Sequence, residues 1–201
     1  HVATASREAL GLPADAFVMA AFGNVYKINE QLLSSWVELL RRSSNTVLWL
    51  MDDNAYTTEQ LKNKFRTYGI PDERVVFSPR ANYGEYLSRL KAADLFLDSY
   101  PYNCGSTTHD VFNCGLPMVT LSGRTCVSRM AGSLLHATGL DELITYTHTD
   151  YENLVVDLAQ DRARLASFRH QLIQGSAARA AAPAKLVRSL EMQLVKLVET
   201  L

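Results

Sequence analysis

The sequence predicts an open, doubly wound α/β fold of the Rossmann type, and three observations support this prediction. Short apolar runs alternate with longer amphipathic segments along the 201-residue chain, which is the order of strands and helices in such folds. The runs are apolar on both faces, as at residues 17–22 and 46–51, so they are predicted to be parallel strands covered on both sides. Gly and Pro stand where helices should end, as Gly69 and Pro71 do.

The first half of the chain contains three predicted strands, each followed by a helix. Residues 17–22 form a continuous apolar run that ends at Gly23. Asn29 then provides the cap of a helix over residues 30–42, whose leucines fall on one face. Further strands are predicted at residues 46–51 and 74–77, and further helices at residues 58–68 and 84–92.

The second half of the chain continues the alternation of predicted strands and helices. Strands are predicted at residues 94–97, 118–121 and 143–145, and helices at residues 109–114, 129–138 and 151–160. From there the sequence is helical to its end, with a break predicted between Gly175 and Pro183, which enclose an alanine-rich stretch. No second domain and no repeat is visible, so residues 1–201 are predicted to form a single Rossmann-like lobe.

The composition restricts the classes of partner. Hydrophobic residues make up 47% of the chain, enough for a full core, and a net charge of -1 with a pI near 6.6 argues against nucleic acid binding over a broad surface. No apolar run is long enough to span a bilayer, so no membrane partner is expected. The spacing of Cys104, Cys114 and Cys126 fits neither zinc binding nor a redox pair, which predicts a cytoplasmic protein with reduced thiols.

Residues 98–128 carry the clearest functional signal. A buried apolar run ends at Asp98, a loop of small and hydroxylated residues follows, and a helix begins after it. Such a loop presents unpaired backbone N–H groups and the positive end of a helix dipole to a phosphate. Gly105 lets the backbone approach a ligand, while Ser106 and Thr107 add hydroxyl donors. This part of the chain therefore predicts binding of a nucleotide or a phosphorylated sugar.

Polar residues also follow the first and third predicted strands, and the carboxyl ends of parallel strands meet at one edge of the sheet. Lys27 follows the first strand and is suited to neutralising a diphosphate. Asp110 lies one turn beyond the small-residue loop, where a carboxylate either complements the helix dipole or accepts hydrogen bonds from ribose hydroxyls. Tyr83 and Tyr86 either stack on a base or cover the edge of the core. The three loops together predict one ligand site.

The chain lacks the sequence motifs of several kinds of binding and catalytic site. The chain has no G-x-G-x-x-G, no Walker loop, no H-E-x-x-H and no metal-type spacing of histidines and carboxylates, so neither a cofactor nor a metal is predicted. Arg124 and Arg129 flank the exit of the fifth strand, either as surface ion pairs or as part of the site. The residues alone predict a nucleotide-phosphate binder without an evident catalytic base.

Seven motifs occur in an order that resembles one known family. They are F-G-N-V-Y-K-I-N from Phe22, V-L-W-L from Val47, V-V-F-S-P from Val75, A-D-L-F-L-D from Ala93, G-S-T-T-H-D from Gly105, G-L-P-M-V-T from Gly115 and S-R-M-A-G-S-L-L from Ser128. Together they resemble the C-terminal catalytic lobe of the O-linked N-acetylglucosamine transferase family, including its bacterial SPINDLY-like members. The resemblance covers nearly all of the chain.

The resemblance implies one lobe of a GT-B glycosyltransferase, the lobe that binds a UDP-sugar. Members of the family transfer the sugar, typically N-acetylglucosamine, with inversion to serine or threonine of an acceptor protein, without a metal or another cofactor. The N-terminal lobe and the tetratricopeptide repeats are then expected outside this chain. The lobe alone is expected to bind its donor but not to turn it over.

The same resemblance assigns roles to the site residues. Lys27 stabilises the leaving UDP, and Asn24 lies near its phosphates. The other matched positions are Ser106 and Thr107 at the diphosphate, Asp110 at the ribose, and Ala81 and Tyr86 at the uracil. Gly105 and Tyr83 are also predicted to contact the UDP-sugar, but the animal enzymes have histidine and lysine there, so contacts to the sugar and the ribose are expected to differ.

Two other functions remain open at this point. A nucleotide-sugar-binding or sensing module would share the site but lack transfer activity, and an upstream first lobe with repeats would argue against it. A non-hydrolysing UDP-sugar epimerase shares the GT-B plan, but the series of motifs fits such an enzyme poorly.

Overall fold

A parallel sheet with helical crossovers organises the chain. The computed structural model describes residues 4–199, and their side chains except those of residues 177–182 and 185. The strands are β1 (Phe17–Ala21), β2 (Thr46–Asp52), β3 (Val75–Pro79), β4 (Leu95–Leu97), β5 (Met118–Leu121) and β6 (Ile144–Thr145). They form one six-stranded sheet in the order β3-β2-β1-β4-β5-β6, and every pair is parallel. The predicted doubly wound α/β fold is therefore confirmed.

Eight α-helices lie within the described residues, and side-chain caps set where several of them begin. They are α1 (Glu30–Arg42), α2 (Ala55–Thr67), α3 (Tyr83–Ala92), α4 (Ser106–Asn113), α5 (Met130–Ala137), α6 (His148–Gln160), α7 (Arg162–Gln174) and α8 (Ser176–Glu199). The predicted starts of α2 and α6 are too late. The Asn54 side chain accepts a hydrogen bond from the Thr57 N–H, and the Thr147 hydroxyl accepts one from the Asp150 N–H, so each helix begins directly after its cap.

Two further predictions about helices are corrected by the structure. α4 begins at Ser106, directly after Gly105, and not at residue 109. The break predicted between Gly175 and Pro183 is present only at Gly175, because α8 continues through Pro183. A proline removes a single backbone hydrogen bond, and alanine and leucine on either side favour the helix. No helix within residues 4–199 combines the length and the apolar character needed to cross a bilayer.

The strands supply the centre of the core. Val18 on β1, Leu48 on β2 and Leu95 on β4 have no accessible surface, and all of β1 is buried. Each such side chain contributes about 1.5–3 kcal/mol relative to remaining exposed. Trp49 is also fully buried, and its indole N–H donates to the Ser78 hydroxyl at 2.8 Å, so its polar atom is satisfied. Burial on both faces is the property that the apolar runs predict.

The strand order reverses between β1 and β4, which are neighbours in space but not in sequence. Met19 pairs with Leu95, and Ala20 pairs with Phe96. This register brings the segment after β1 next to the segment after β4 at the carboxyl edge of the sheet. Open α/β sheets bind ligands at such a reversal.

Candidate functional site

A cleft of about 310 Å³ lies at the carboxyl ends of β1 and its neighbouring strands, and we call it the switch-point cleft. It is lined by Phe22, Gly23, Asn24, Val25, Lys27, Met51, Asp53, Arg80, Ala81, Tyr86, Thr107 and Asp110. The predicted site residues among them are Asn24, Lys27, Ala81, Tyr86, Thr107 and Asp110. Residues that follow β1, β3 and β4 thus share one cleft, as the sequence predicts.

Lys27 connects the two central loops of this cleft. It ends a short 3-10 turn, Val25–Lys27, that follows β1. Its Nζ donates a hydrogen bond to the Asn103 carbonyl at 3.1 Å and lies 4.2 Å from the centroid of the Tyr102 ring. No carboxylate among the described residues pairs with this ammonium group, so its charge is available to an anion in the cleft.

The start of α4 forms another part of the same cleft. Gly105 precedes the helix, and no side chain caps its first turn. The backbone N–H groups of such a turn carry the positive end of the helix dipole and need acceptors. Thr107 lies in this turn and lines the cleft. Lys27 and the start of α4 therefore offer a cation and backbone donors to the same ligand.

Asp98 fixes the loop that leads into α4. Its carboxylate is buried and accepts hydrogen bonds from the Ser99 N–H at 2.8 Å, the Cys104 N–H at 2.8 Å and the Thr120 hydroxyl at 2.6 Å. Burial raises the pKa of Asp98 to about 6. Burial also raises the pKa of the neighbouring Cys104 thiol to about 12, so this cysteine is not a reactive nucleophile. From the sequence, Asp98 is predicted only to end a strand.

The tyrosines of α3 form the opposite wall. The exposed Tyr83 hydroxyl donates to Asp110 Oδ1 at 2.7 Å, and this hydrogen bond raises the pKa of Tyr83. Tyr86 is partly buried and packs 6.3 Å from the Phe22 ring, between centroids, and burial raises the pKa of its hydroxyl. Tyr86 therefore both covers the edge of the core and lines the cleft, whereas Tyr83 reaches the cleft through Asp110.

An ion pair that is not predicted from the sequence lies at the rim of the switch-point cleft. Arg80 follows β3 and pairs with Asp53, which follows β2, at 2.6 Å. An Arg80 guanidinium nitrogen also lies 3.5 Å from the Asn24 side-chain oxygen. Both members of the pair line the switch-point cleft. Their position directly after the carboxyl end of a strand is the signal that would have found them.

Gly105 and Ser106 line a different cleft. This neighbouring space of about 710 Å³, which we call the arginine cleft, is lined by Gly105, Ser106, His109, Arg124, Cys126, Arg129, Met130, Ser133 and Leu134. An ideal Cβ on Gly105 would lie 2.7 Å from the Met130 terminal carbon, so a side chain at this position would displace Met130. Met130 thus covers the position where the animal enzymes of the resembled family carry histidine.

The described residues do not form a metal site. Within residues 4–199, no group of three or more His, Cys, Asp or Glu side chains is arranged to hold a metal ion. The groups that line the switch-point cleft include an ammonium group, a guanidinium group, hydroxyls and hydrogen-bonded or ion-paired carboxylates, with backbone N–H groups at the start of α4. This set is suited to a phosphate and a polar nucleoside.

Solved structures share this architecture. A mutant of the O-GlcNAc transferase of Thermobaculum terrenum aligns with a TM-score of 0.76 and 26% identity over 82% of this chain and 33% of that chain. Anabaena Alr3699/HepE, solved in complex with UDP and glucose, aligns with a TM-score of 0.65 and 18% identity over 97% of this chain and 51% of that chain, a likeness in fold alone. These neighbours are GT-B glycosyltransferases, so the predicted GT-B lobe is confirmed.

Similarity in sequence identifies the family as well as the fold. The model of glycosyl transferase family 41 matches residues 1–186. The probable UDP-N-acetylglucosamine–peptide N-acetylglucosaminyltransferase SEC of Arabidopsis thaliana is 33% identical over 83% of this chain and 17% of its own length. The UDP-N-acetylglucosamine–peptide N-acetylglucosaminyltransferase of Caenorhabditis elegans is 34% identical over 82% of this chain and 14% of its own length. The chain spans only a small part of these relatives, and it belongs to glycosyl transferase family 41.

Proposed function

We propose that this chain is the donor-binding lobe of an inverting enzyme that transfers N-acetylglucosamine from UDP to serine or threonine of a protein. The observation that supports this most directly is the position of Lys27 beside the uncapped start of α4. The named relatives are described as UDP-N-acetylglucosamine–peptide N-acetylglucosaminyltransferases, which supports the same donor and the same class of acceptor.

The chemistry of this lobe is stabilisation of the leaving group. When the bond between the sugar and the diphosphate breaks, negative charge grows on the phosphate oxygen that leaves with UDP. The Lys27 ammonium and the N–H groups of the first turn of α4 are in place before that charge develops, and Thr107 adds a hydroxyl donor. Losing one preorganised donor of this kind typically costs roughly 3 kcal/mol of transition-state stabilisation.

The nucleoside half of the donor lies against α3 and its preceding loop. Ala81 and Tyr86 form the wall that receives the uracil, and Asn24 lies on the phosphate side of the cleft. One oxygen of Asp110 already accepts a hydrogen bond from Tyr83. The same carboxylate accepts hydrogen bonds from the ribose hydroxyls, and Tyr83 keeps it oriented.

The remaining parts of the enzyme belong to the rest of the protein. An N-terminal lobe with repeats supplies the catalytic base and takes part in selecting the acceptor protein, so the present lobe binds its donor without turnover. The proposal includes a cytoplasmic location and no requirement for a metal or another cofactor.

Calorimetric titration of the chain with UDP tests the proposal. ADP and GDP serve as base controls, and each titration is run with Mg²⁺ and with EDTA. We expect UDP to bind more tightly than ADP and GDP, with the same affinity in both buffers. Equal affinity for the three nucleotides would remove the uracil assignment, and binding that disappears in EDTA would contradict metal-independent donor binding.

A further inference from the structure

The arginine cleft contains two guanidinium groups that form no ion pair with any of the described residues. Among the described residues, neither Arg124 nor Arg129 makes a side-chain hydrogen bond or an ion pair. Arginines that support the fold behave differently, since Arg7 pairs with Asp94 at 2.7 Å and Arg66 pairs with Asp72 at 2.5 Å. The sequence-based alternative of surface ion pairs is therefore wrong for Arg124 and Arg129 within the described part of the chain.

The walls of this cleft carry charge of one sign only. Its lining residues include two arginines and His109 but neither Asp nor Glu. Asp141 lies in an adjoining cavity that Arg129 also lines, and it is already paired with His136 at 2.5 Å. Guanidinium groups bind carboxylates through paired N–H donors, and an uncompensated pair of them favours an anionic ligand.

The arginine cleft adjoins the switch-point cleft through α4. Thr107 and Asp110 line the switch-point cleft, and Ser106 and His109 line the arginine cleft. Consecutive helical residues differ by about 100° around the axis, so one turn of α4 presents a different pair of side chains to each space. A ligand in the arginine cleft therefore lies beside the diphosphate of a donor in the switch-point cleft.

We propose that the arginine cleft binds acidic side chains of the acceptor polypeptide, an assignment that rests on the proposed function. The sugar of UDP-N-acetylglucosamine is neutral, so that donor has no carboxylate to place between Arg124 and Arg129. Asp and Glu side chains carry their carboxylates on apolar methylene stems, and Met130 and Leu134 give the cleft an apolar wall. The enzyme then favours serines and threonines that have Asp or Glu nearby.

Two synthetic peptides of equal length test this assignment. One carries Asp and Glu on both sides of a single serine, and the other carries Asn and Gln at the same positions. Each is titrated into the full chain with and without UDP, at low and at moderate salt. We expect the acidic peptide to bind about fivefold more tightly, from two exposed charge pairs, and this preference to weaken as salt is added.

A matched set of variants tests whether the arginine cleft causes the preference for the acidic peptide. Arg124→Gln combined with Arg129→Gln should reduce the preference for the acidic peptide to less than about twofold. Arg188→Gln removes the same kind of charge from α8, outside the lining of both clefts, and should leave the preference unchanged. An acidic preference that persists in the double variant, or equal affinity of the native chain for both peptides, would overturn the proposal.

Cys126 provides a readout that does not depend on folding of the double variant. It is the exposed cysteine of the chain and lines the arginine cleft, whereas Cys104 is buried and Cys114 is partly buried. At the same subsaturating concentration, the acidic peptide should slow alkylation of Cys126 by iodoacetamide in the native chain more than the neutral peptide does. Equal alkylation rates with the two peptides would place the bound peptide elsewhere and overturn the proposal.

The two proposals fail in different ways. If UDP does not bind while the acidic peptide still protects Cys126, the donor assignment fails and the cleft assignment stands as peptide binding alone. If UDP-glucuronate displaces the acidic peptide and UDP-glucose does not, the arginines serve a carboxylate on the donor sugar, which overturns the acceptor assignment.

Discussion

Lys27 is the residue on which anion binding in the switch-point cleft depends most, because its ammonium group lines the cleft and pairs with no carboxylate among the described residues. Lys27→Ala should weaken UDP binding by about 1–3 kcal/mol, the usual range for a hydrogen bond to a charged group. Isothermal titration measures the change. Lys64→Ala removes an equal charge from a surface pair with Glu30 and should leave UDP affinity unaltered. Unchanged affinity in the Lys27 variant would remove this lysine from the site.

The buried carboxyl group of Asp98 predicts that the stability of the folded chain depends on pH. Burial raises its pKa to about 6 in the folded chain, above the roughly 3.9 of an unfolded aspartate. The folded state therefore holds this proton more tightly, so the contribution favours folding at low pH and is lost as the pH rises through about 6. Asp98→Asn keeps an oxygen for the Ser99 and Cys104 N–H groups but cannot ionise.

Urea unfolding of the native chain and the Asp98→Asn variant at pH 5 and pH 7.5 measures this contribution. Between these values the free energy of unfolding of the native chain should fall by roughly 1 kcal/mol relative to the variant. The comparison with the variant removes the contributions of all other titrating groups. A constant difference would show that the carboxyl group is already ionised at pH 5.

The segment between β5 and α5 is an element whose conformation depends on a glycine. A Cβ on Gly123 would lie 2.5 Å from the Ser128 hydroxyl oxygen and 3.1 Å from a Tyr100 ring carbon. Ser128 is buried and hydrogen-bonded to Thr125, so moving it aside would break these hydrogen bonds. Gly123→Ala should therefore destabilise the chain by about 1–3 kcal/mol in chemical unfolding.

Gly84 provides a matched control for the substitution at Gly123. It lies in the first turn of α3, and a Cβ there would make ordinary contact with Asn82 at 3.5 Å. Gly84→Ala should stabilise the chain by about 0.4–1 kcal/mol, because alanine restricts the unfolded chain without strain in the helix. The two alanine variants should thus shift the free energy of unfolding in opposite directions, and shifts of the same sign would contradict the described packing around Gly123.

The start of α4 shows what the sequence could and could not predict about the site. The small-residue loop identifies the anion site, but Gly105 offers no capping side chain, so the usual signal for a helix start is missing. With a predicted start at residue 109, Ser106 and Thr107 would both lie in a loop and could face the same ligand. In the structure they are helical, and the rotation of about 100° between them sends each to a different cleft.

At the scale of the whole molecule, the last helix contributes little to the stability of the lobe. Leu186, Leu190 and Leu197 on α8 are each more than half exposed, at 71%, 58% and 62%. Removing residues 184–201 should therefore shift Tm by less than about 2 °C in differential scanning calorimetry. Leu158→Ala on the fully buried face of α6 should lower Tm by roughly 5–15 °C. A similar loss from the deletion would contradict the described exposure of α8.

The overall fold could be predicted because its signals are local. The apolar runs give the strands, and Asn29 gives the first residue of α1, where the structure confirms both. Strand order is not local, since it depends on the pairing of Met19 with Leu95, which lie far apart in the sequence. The Arg80–Asp53 pair depends on the same packing of separate segments. The position of each residue after a strand is visible in the sequence, but their pairing with each other is not.

The two contacts that hold Lys27 also decide when its side chain becomes ordered. The Asn103 carbonyl and the Tyr102 ring restrain the ammonium group before any ligand is present. A free lysine loses roughly 1.5–2 kcal/mol of rotamer entropy when it is immobilised. Here much of that loss accompanies folding rather than each binding event, so an incoming diphosphate meets a rigid electrostatic partner and its affinity is not diminished by ordering the lysine.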